Sequence, residues 1–197
     1  ALQDNQARLK QYEWIENMVV SKNGDEKSQK QYRCYYGADG ALQKVLIDSS
    51  QDEGRERRGL RGRIIAHKKE EMTEYMQRAA DLIKRYIPPQ SAKIQAAWDA
   101  GNVAVKPGGS AKTVELEIQS YLLPGDSLDL NLDMGKPEVT GLQVSSYLDN
   151  PKDAVTLAVT FGKLQDGTNY PKQTLLTTKK KDLTIQVQNS GYRKMGS

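Results

Sequence analysis

The sequence predicts an α+β fold in which a strongly curved antiparallel sheet, a half barrel, carries one long and one short helix packed on its concave face. Strict alternation through the second half of the chain predicts the sheet: in Val114-Glu115-Leu116-Glu117-Ile118, and again from Leu128 to Met134, every second residue is apolar. Such segments bury one side and wet the other, as antiparallel strands do and buried parallel strands do not. Helical spacing of apolar residues over 63–87 predicts the long helix. A many-stranded sheet with one dry side has to curl around a cover or close on itself, and that helix is the expected plug.

The elements follow in chain order. Residues Gln3 to Lys10 are polar helix formers, and the aromatic and β-branched run from Tyr12 to Val20 is a strand. Asn23-Gly24 and Ala38-Asp39-Gly40 are hairpin signals, which sets strands near 26–36 and 41–47. Residues 48–62 read DSSQDEGRERRGLRG, with Leu60 the one apolar residue, and are expected to form a mobile charged loop. Ile64, Ile65, Lys68, Met72, Tyr75, Met76, Ala79, Leu82, Ile83 and Tyr86 then share a helix face until Pro88-Pro89 stops the helix. A shorter helix around 90–100 carries Ile94, Ala97 and Trp98 on one side and ends at Gly101. Val155, Leu157, Val159 and Phe161, and later Leu183, Ile185 and Val187, again alternate, between turns at Pro124-Gly125-Asp126, Asp149-Asn150-Pro151 and Asp166-Gly167-Thr168.

At 197 residues the chain is expected to fold as one domain, 1–197, with a core of useful size. Its net charge of +4 comes from 29 basic and 25 acidic residues mixed along the chain, a balance that favours solubility over a dedicated polyanion binder. The one cysteine, Cys34, excludes an intramolecular disulfide. No stretch reaches the roughly 20 apolar residues needed to cross a bilayer as a helix. The start at Ala1 fits a mature exported form whose signal peptide has been removed.

The order of elements, together with the ending from Asp166-Gly167-Thr168-Asn169-Tyr170-Pro171 to Tyr192-Arg193-Lys194, resembles the periplasmic lipoprotein-localisation factors and related bacterial lipoproteins. The segment from Tyr147-Leu148-Asp149-Asn150-Pro151 to Leu157 resembles an uncharacterised family of exported bacterial proteins with that fold. The resemblance implies a half barrel closed by helices, a periplasmic or secreted location and a lipid or lipoprotein as partner. It transfers no catalytic residue.

Local chemistry points away from an enzyme. His67, the only histidine, has just Glu71 at helical spacing, too few ligands for a metal. Cys34 shares a strand face with Tyr32 and Tyr36 and reads as a small buried hydrophobe. Asp129, Asn131 and Asp133 have the spacing of a wet strand face, and the glycine and glutamate positions of a calcium loop are not met. Gly108-Gly109-Ser110-Ala111-Lys112-Thr113 fails as a phosphate loop because Ala111 stands where glycine is required and a strand follows. Arg55, Arg57, Arg58, Arg61 and Arg63, interrupted by Glu56 and without interleaved aromatics, suit a solvated loop better than nucleic acid. No cofactor is implied.

The reading is therefore a non-enzymatic binding protein with an apolar cleft between helix and sheet, lined by Trp14, Met18, Met72, Tyr75, Met76 and Ile83. Methionine-rich surfaces suit adaptable binding, and the same residues equally suit ordinary core. The alternative is a structural or protein-interaction module of the cell envelope that takes no small ligand.

Overall fold

The computed structural model describes residues 2–51, 60–136 and 138–196. A short helix α1 (Leu2–Leu9) leads into β1 (Tyr12–Lys22), β2 (Asp25–Tyr36) and β3 (Leu42–Gln51), followed by the helices α2 (Leu60–Lys84) and α3 (Ser91–Asp99). The rest is a meander of β4 (Val103–Pro107), β5 (Thr113–Gln119), β6 (Ser127–Asp133), β7 (Glu138–Tyr147), β8 (Ala154–Lys163), β9 (Asn169–Thr178) and β10 (Leu183–Lys194). All pairings are antiparallel and join the strands into one open sheet, ordered β3-β2-β1-β10-β9-β8-β7-β6-β5-β4. The one non-consecutive pairing, β1 with β10, runs from Tyr12 opposite Lys194 to Lys22 opposite Leu183 and ties the two ends of the chain together.

Register lines up apolar residues in rows across adjacent strands. Leu116, Leu130, Leu142, Val159, Thr174, Val187 and Met18 follow one another across seven adjacent strands. A neighbouring row runs Val103, Ile118, Leu128, Val144, Leu157, Leu176, Ile185, Val20. This is the dry face that alternation requires. Register shifts interrupt five of the nine strand pairings, and such bulges bend strands and increase twist.

The main core joins this face to the helices. Ala79, Leu82, Ile83 and Tyr86 from α2 and the turn after it form one buried cluster with Ile118, Leu128, Val144 and Leu157, and Ile94 and Ala97 of α3 pack against it. Polar anchors fix α2 over strand ends. Tyr75 donates its hydroxyl to the buried Asp153 at 2.5 Å, and Tyr86 bonds both Asp126 and Ser146. Arg78 pairs with Asp149 in the β7–β8 turn.

Several sequence expectations need correction. The charged loop is narrower than 48–62: residues 48–51 extend β3, paired from Asp48 opposite Gln31 to Gln51 opposite Ser28, and Leu60 already belongs to α2. Partner hydrogen bonds from β2 decide the conformation of a polar segment whose own pattern carries no signal. Residues 52–59, where most of that loop falls, lie outside the described residues. The long helix ends at Lys84, three residues before the expected 87. Trp98 faces solvent, 56% exposed, rather than the packed side with Ile94 and Ala97. Lys68, placed by spacing on the apolar face, is exposed with the rest of 67–71, and from residue 67 onward the first buried position is Tyr75.

Candidate functional site

The dry face is treated differently along its width. On β5 to β9 it is closed: Ile118, Leu128, Val144 and Val155 have no exposure at all. On β10 and β1 the same rows are half-buried at Val187, Ile185, Met18 and Val20, and the adjoining row of Glu16 carries half-buried Tyr32 on β2 and Leu46, 51% exposed, on β3. Those residues form an apolar floor whose members come from both ends of the chain.

At one end the floor meets an aromatic cluster. Trp14 stacks on Tyr192 with ring centroids 5.4 Å apart and 12° between planes, and Tyr36 and Tyr170 flank the pair. Gly162 is required beneath Tyr170, because a Cβ there would come within 2.9 Å of the ring. Cys34, opposite Trp14 on β2, is fully buried, and burial followed by the nearby Glu16 raises its thiol to about 11, so it stays protonated and inert. Burial likewise pushes the Tyr192 hydroxyl far up.

Polar groups interrupt the floor beside this cluster. Glu16, between Trp14 and Met18 on β1, is 6% exposed, and both of its oxygens accept from Lys44 Nζ on β3 at 2.8 Å. A carboxylate taken out of water needs such a partner. Opposite Glu16, Asn189 donates Nδ2 to the Pro171 carbonyl at 2.9 Å, while its buried Oδ1 has no hydrogen-bond partner. The buried Nε1 of Trp14 has none either.

The six residues expected to line a cleft divide. Trp14 and Met18 lie on the open floor and its aromatic rim. Tyr75 and Ile83 are buried, Ile83 within the main core and Tyr75 against Asp153, where burial and then the bond to Asp153 raise its hydroxyl to about 12. Met72 and Met76 are half-buried on α2. The core cluster holding Ile83 includes no residue of β1. Sequence reasoning missed Glu16, Lys44, Asn189 and Tyr192. Of these, Glu16 carried a usable signal, a charge at an inward position of an otherwise apolar alternation.

Two hollows are seen among the described residues. One of about 200 Å³ is lined by Trp14 together with Glu13, Ile15, Arg33 and Arg193 around the β1–β10 bulge at Gly191. Another of about 450 Å³ opens on the wet face above Gly141, among Asn131, Gln143, Ala158 and Thr160. On the same wet face Asp129 is raised by burial and then by Glu115 and Glu117. His67 pairs only with Glu71, at 3.6 Å in solvent, and among the described residues no group of three His, Cys, Asp or Glu side chains could hold a metal. No described helix is long and apolar enough to cross a membrane.

No family model matches the chain, and no curated protein matches it. Among solved structures it is similar to a LolA superfamily protein from Nitrosomonas europaea, with 8% identity over 99% of this chain and 94% of that one and a TM-score of 0.40. It is similar to a putative outer membrane lipoprotein-sorting protein domain from Vibrio parahaemolyticus, with 11% identity over 100% and 91% and a TM-score of 0.39. A DUF1329 family protein from Desulfovibrio piger shares 9% identity over 98% and 92%, with a TM-score of 0.37. These are the kinds of protein that the sequence resemblance named. Similarity at this level assigns no activity, and the functional argument rests on this chain's own residues.

Proposed function

We propose that the chain is a non-enzymatic binding protein that holds an acyl-type apolar ligand, a lipid or the lipid of a lipoprotein, on the open part of its dry face, in the periplasm or outside the cell. The observation that carries this is the half-buried floor of Met18, Val20, Ile185 and Val187, in the same register rows that are closed on β5 to β9, with Tyr32 in the adjoining row of Glu16. An apolar surface left in contact with water is a standing gain for any apolar ligand, at roughly 25 cal/mol per Å² covered. Bulges in five of the nine pairings support a sheet curled into a half barrel, with α2 and α3 across part of its hollow side. In this reading Met72 and Met76, half-buried on α2, complete the wall.

Native mass spectrometry of the protein purified from cells, followed by extraction, tests this. Bound acyl species are expected, and a Met18→Glu, Val187→Glu double variant with unchanged circular dichroism is expected to lose them. Protein that neither carries nor takes up any acyl compound, or a variant that retains it fully, ends the reading.

One observation favours a second reading, a protein-interaction module. The edge strand β3 exposes Leu42 and Val45 at 43% and Leu46 and Ile47 at 51%, while Lys44, which could guard that edge, is drawn to Glu16. The other edge, β4, is five residues long and ends in Pro107, which offers no N–H. Binding of an extended peptide along β3 would be lost on Val45→Lys and would leave acyl binding intact.

A further inference from the structure

The apolar floor ends on a pair of unmatched polar atoms, one donor and one acceptor. Trp14 Nε1 is a buried N–H without an acceptor, in a side chain only 6% exposed. Asn189 Oδ1 is a buried carbonyl oxygen without a donor. Its orientation is fixed, because the Pro171 carbonyl demands the Nδ2 side of the amide. Register puts the two residues near one another on one face: Asn189 lies opposite Glu16, and Trp14 is two residues along β1 from Glu16. Buried polar atoms of native proteins are nearly always matched, so a neighbouring donor and acceptor left open together ask for a group that supplies both.

The charges around them narrow that group. Glu16 is neutralised by Lys44, and Lys10, which also reaches this end, sits 5.9 Å over the Tyr36 ring. A carboxylate brought there would find the Trp14 N–H but would press acceptor against acceptor at Asn189 and lie beside the Glu16 carboxylate. A hydroxyl or amide accepts from Trp14 and donates to Asn189 with no charge to desolvate. A further cation that a free acid could use, Lys30, lies opposite Met18.

Building on the acyl-binding reading, we infer that the structure selects an acyl chain with an uncharged hydroxyl- or amide-bearing head, as in a monoacylglycerol or an N-acyl amide, its head at Trp14 and Asn189 and its tail along Met18 and Val187. Leaving a buried group unmatched costs enough to change affinity by about tenfold per group.

The test uses the full chain and three probes of one chain length: 1-monooleoylglycerol, oleate and the head-free alkene 1-octadecene, each measured by competition with a fluorescent apolar dye. Monooleoylglycerol is expected to bind about tenfold more tightly than either of the others. Trp14→Phe, which keeps the ring stack and removes the N–H, and Asn189→Leu are each expected to erase most of that advantage and leave 1-octadecene unchanged. Thermal melts of both variants separate this from loss of fold, and the three-probe series on the unaltered chain stands without them. Equal binding of all three probes, or oleate preferred and weakened by Lys30→Met, overturns the head assignment alone. Failure of every probe to bind overturns the acyl-binding reading with it.

Discussion

Leu142 on β7 and Met18 on β1 occupy one register row of one sheet face, linked through Val159, Thr174 and Val187, yet Leu142 is 4% exposed and Met18 only half-buried. Both are apolar and both point to the dry side. What separates them is the cover: α2 and α3 share a buried cluster with β5 to β9, and that cluster stops short of β1. Dryness of a strand face is a local property, whereas its use as core or as binding surface depends on what the rest of the chain lays across it.

The sharpest way to break this comparison is to truncate equivalent residues on the two halves. Leu142→Ala is expected to cost about 2–5 kcal/mol in urea unfolding, the range for a closed core that cannot collapse around the lost volume. Met18→Ala should cost about 1 kcal/mol or less and weaken acyl binding instead. Equal costs would mean that the two halves are one core.

The anchors of α2 give the next largest effect. Tyr86→Phe leaves buried Asp126 and Ser146 without their shared partner, and Tyr75→Phe does the same to Asp153, each for about 1–3 kcal/mol. If α2 is fixed mainly by its apolar residues, both variants will instead melt with the parent.

A pH titration sharpens the same point. Tyr75 is raised to about 12 by burial and by its bond to Asp153. The unfolded chain, with tyrosine near its ordinary value of about 10, releases that proton first as pH rises. The stability contributed by Tyr75 is therefore complete below about pH 10 and lost as pH climbs through 12. Tyr75→Phe should flatten part of the alkaline fall, and the slope that remains is shared by Tyr12, Cys34, Tyr36, Tyr86 and Tyr192, which are raised as well. An unchanged slope would place the Tyr75 hydroxyl in contact with solvent.

The smallest effect lies on the open edge. Leu46→Lys is expected to change stability by less than about 0.5 kcal/mol, since the side chain is half in solvent. A fall in self-association on size exclusion would favour the peptide-binding reading of β3.

Much of this was legible in the residues themselves. Strands β5, β6, β8 and β10 follow from alternation, and the hairpin turns at Asn23-Gly24 and Asp166-Gly167 from their dipeptides. Strands β7 and β9 were less visible because Gly141 breaks one pattern, while Thr174, Thr178 and the outward Leu175 blur the other. Of the candidate site, Trp14 and Met18 could be found from strand phase. Glu16 and Lys44 could not be paired in advance, because they lie 28 residues apart and meet only across β2.

By itself the sequence determined which side of each alternating strand is dry and that two helices, α2 and α3, interrupt the strands. These depend on residues within a few positions of one another, where backbone geometry fixes the direction of each side chain. Tertiary structure alone decided that β10 pairs with β1, that Trp14 meets Tyr192, and that the helices close the dry face over β5 to β9 while leaving it half-open over β1 and β10. Those outcomes come from contacts between distant segments, whose free energy is a sum over the whole fold and has no local pattern to carry it.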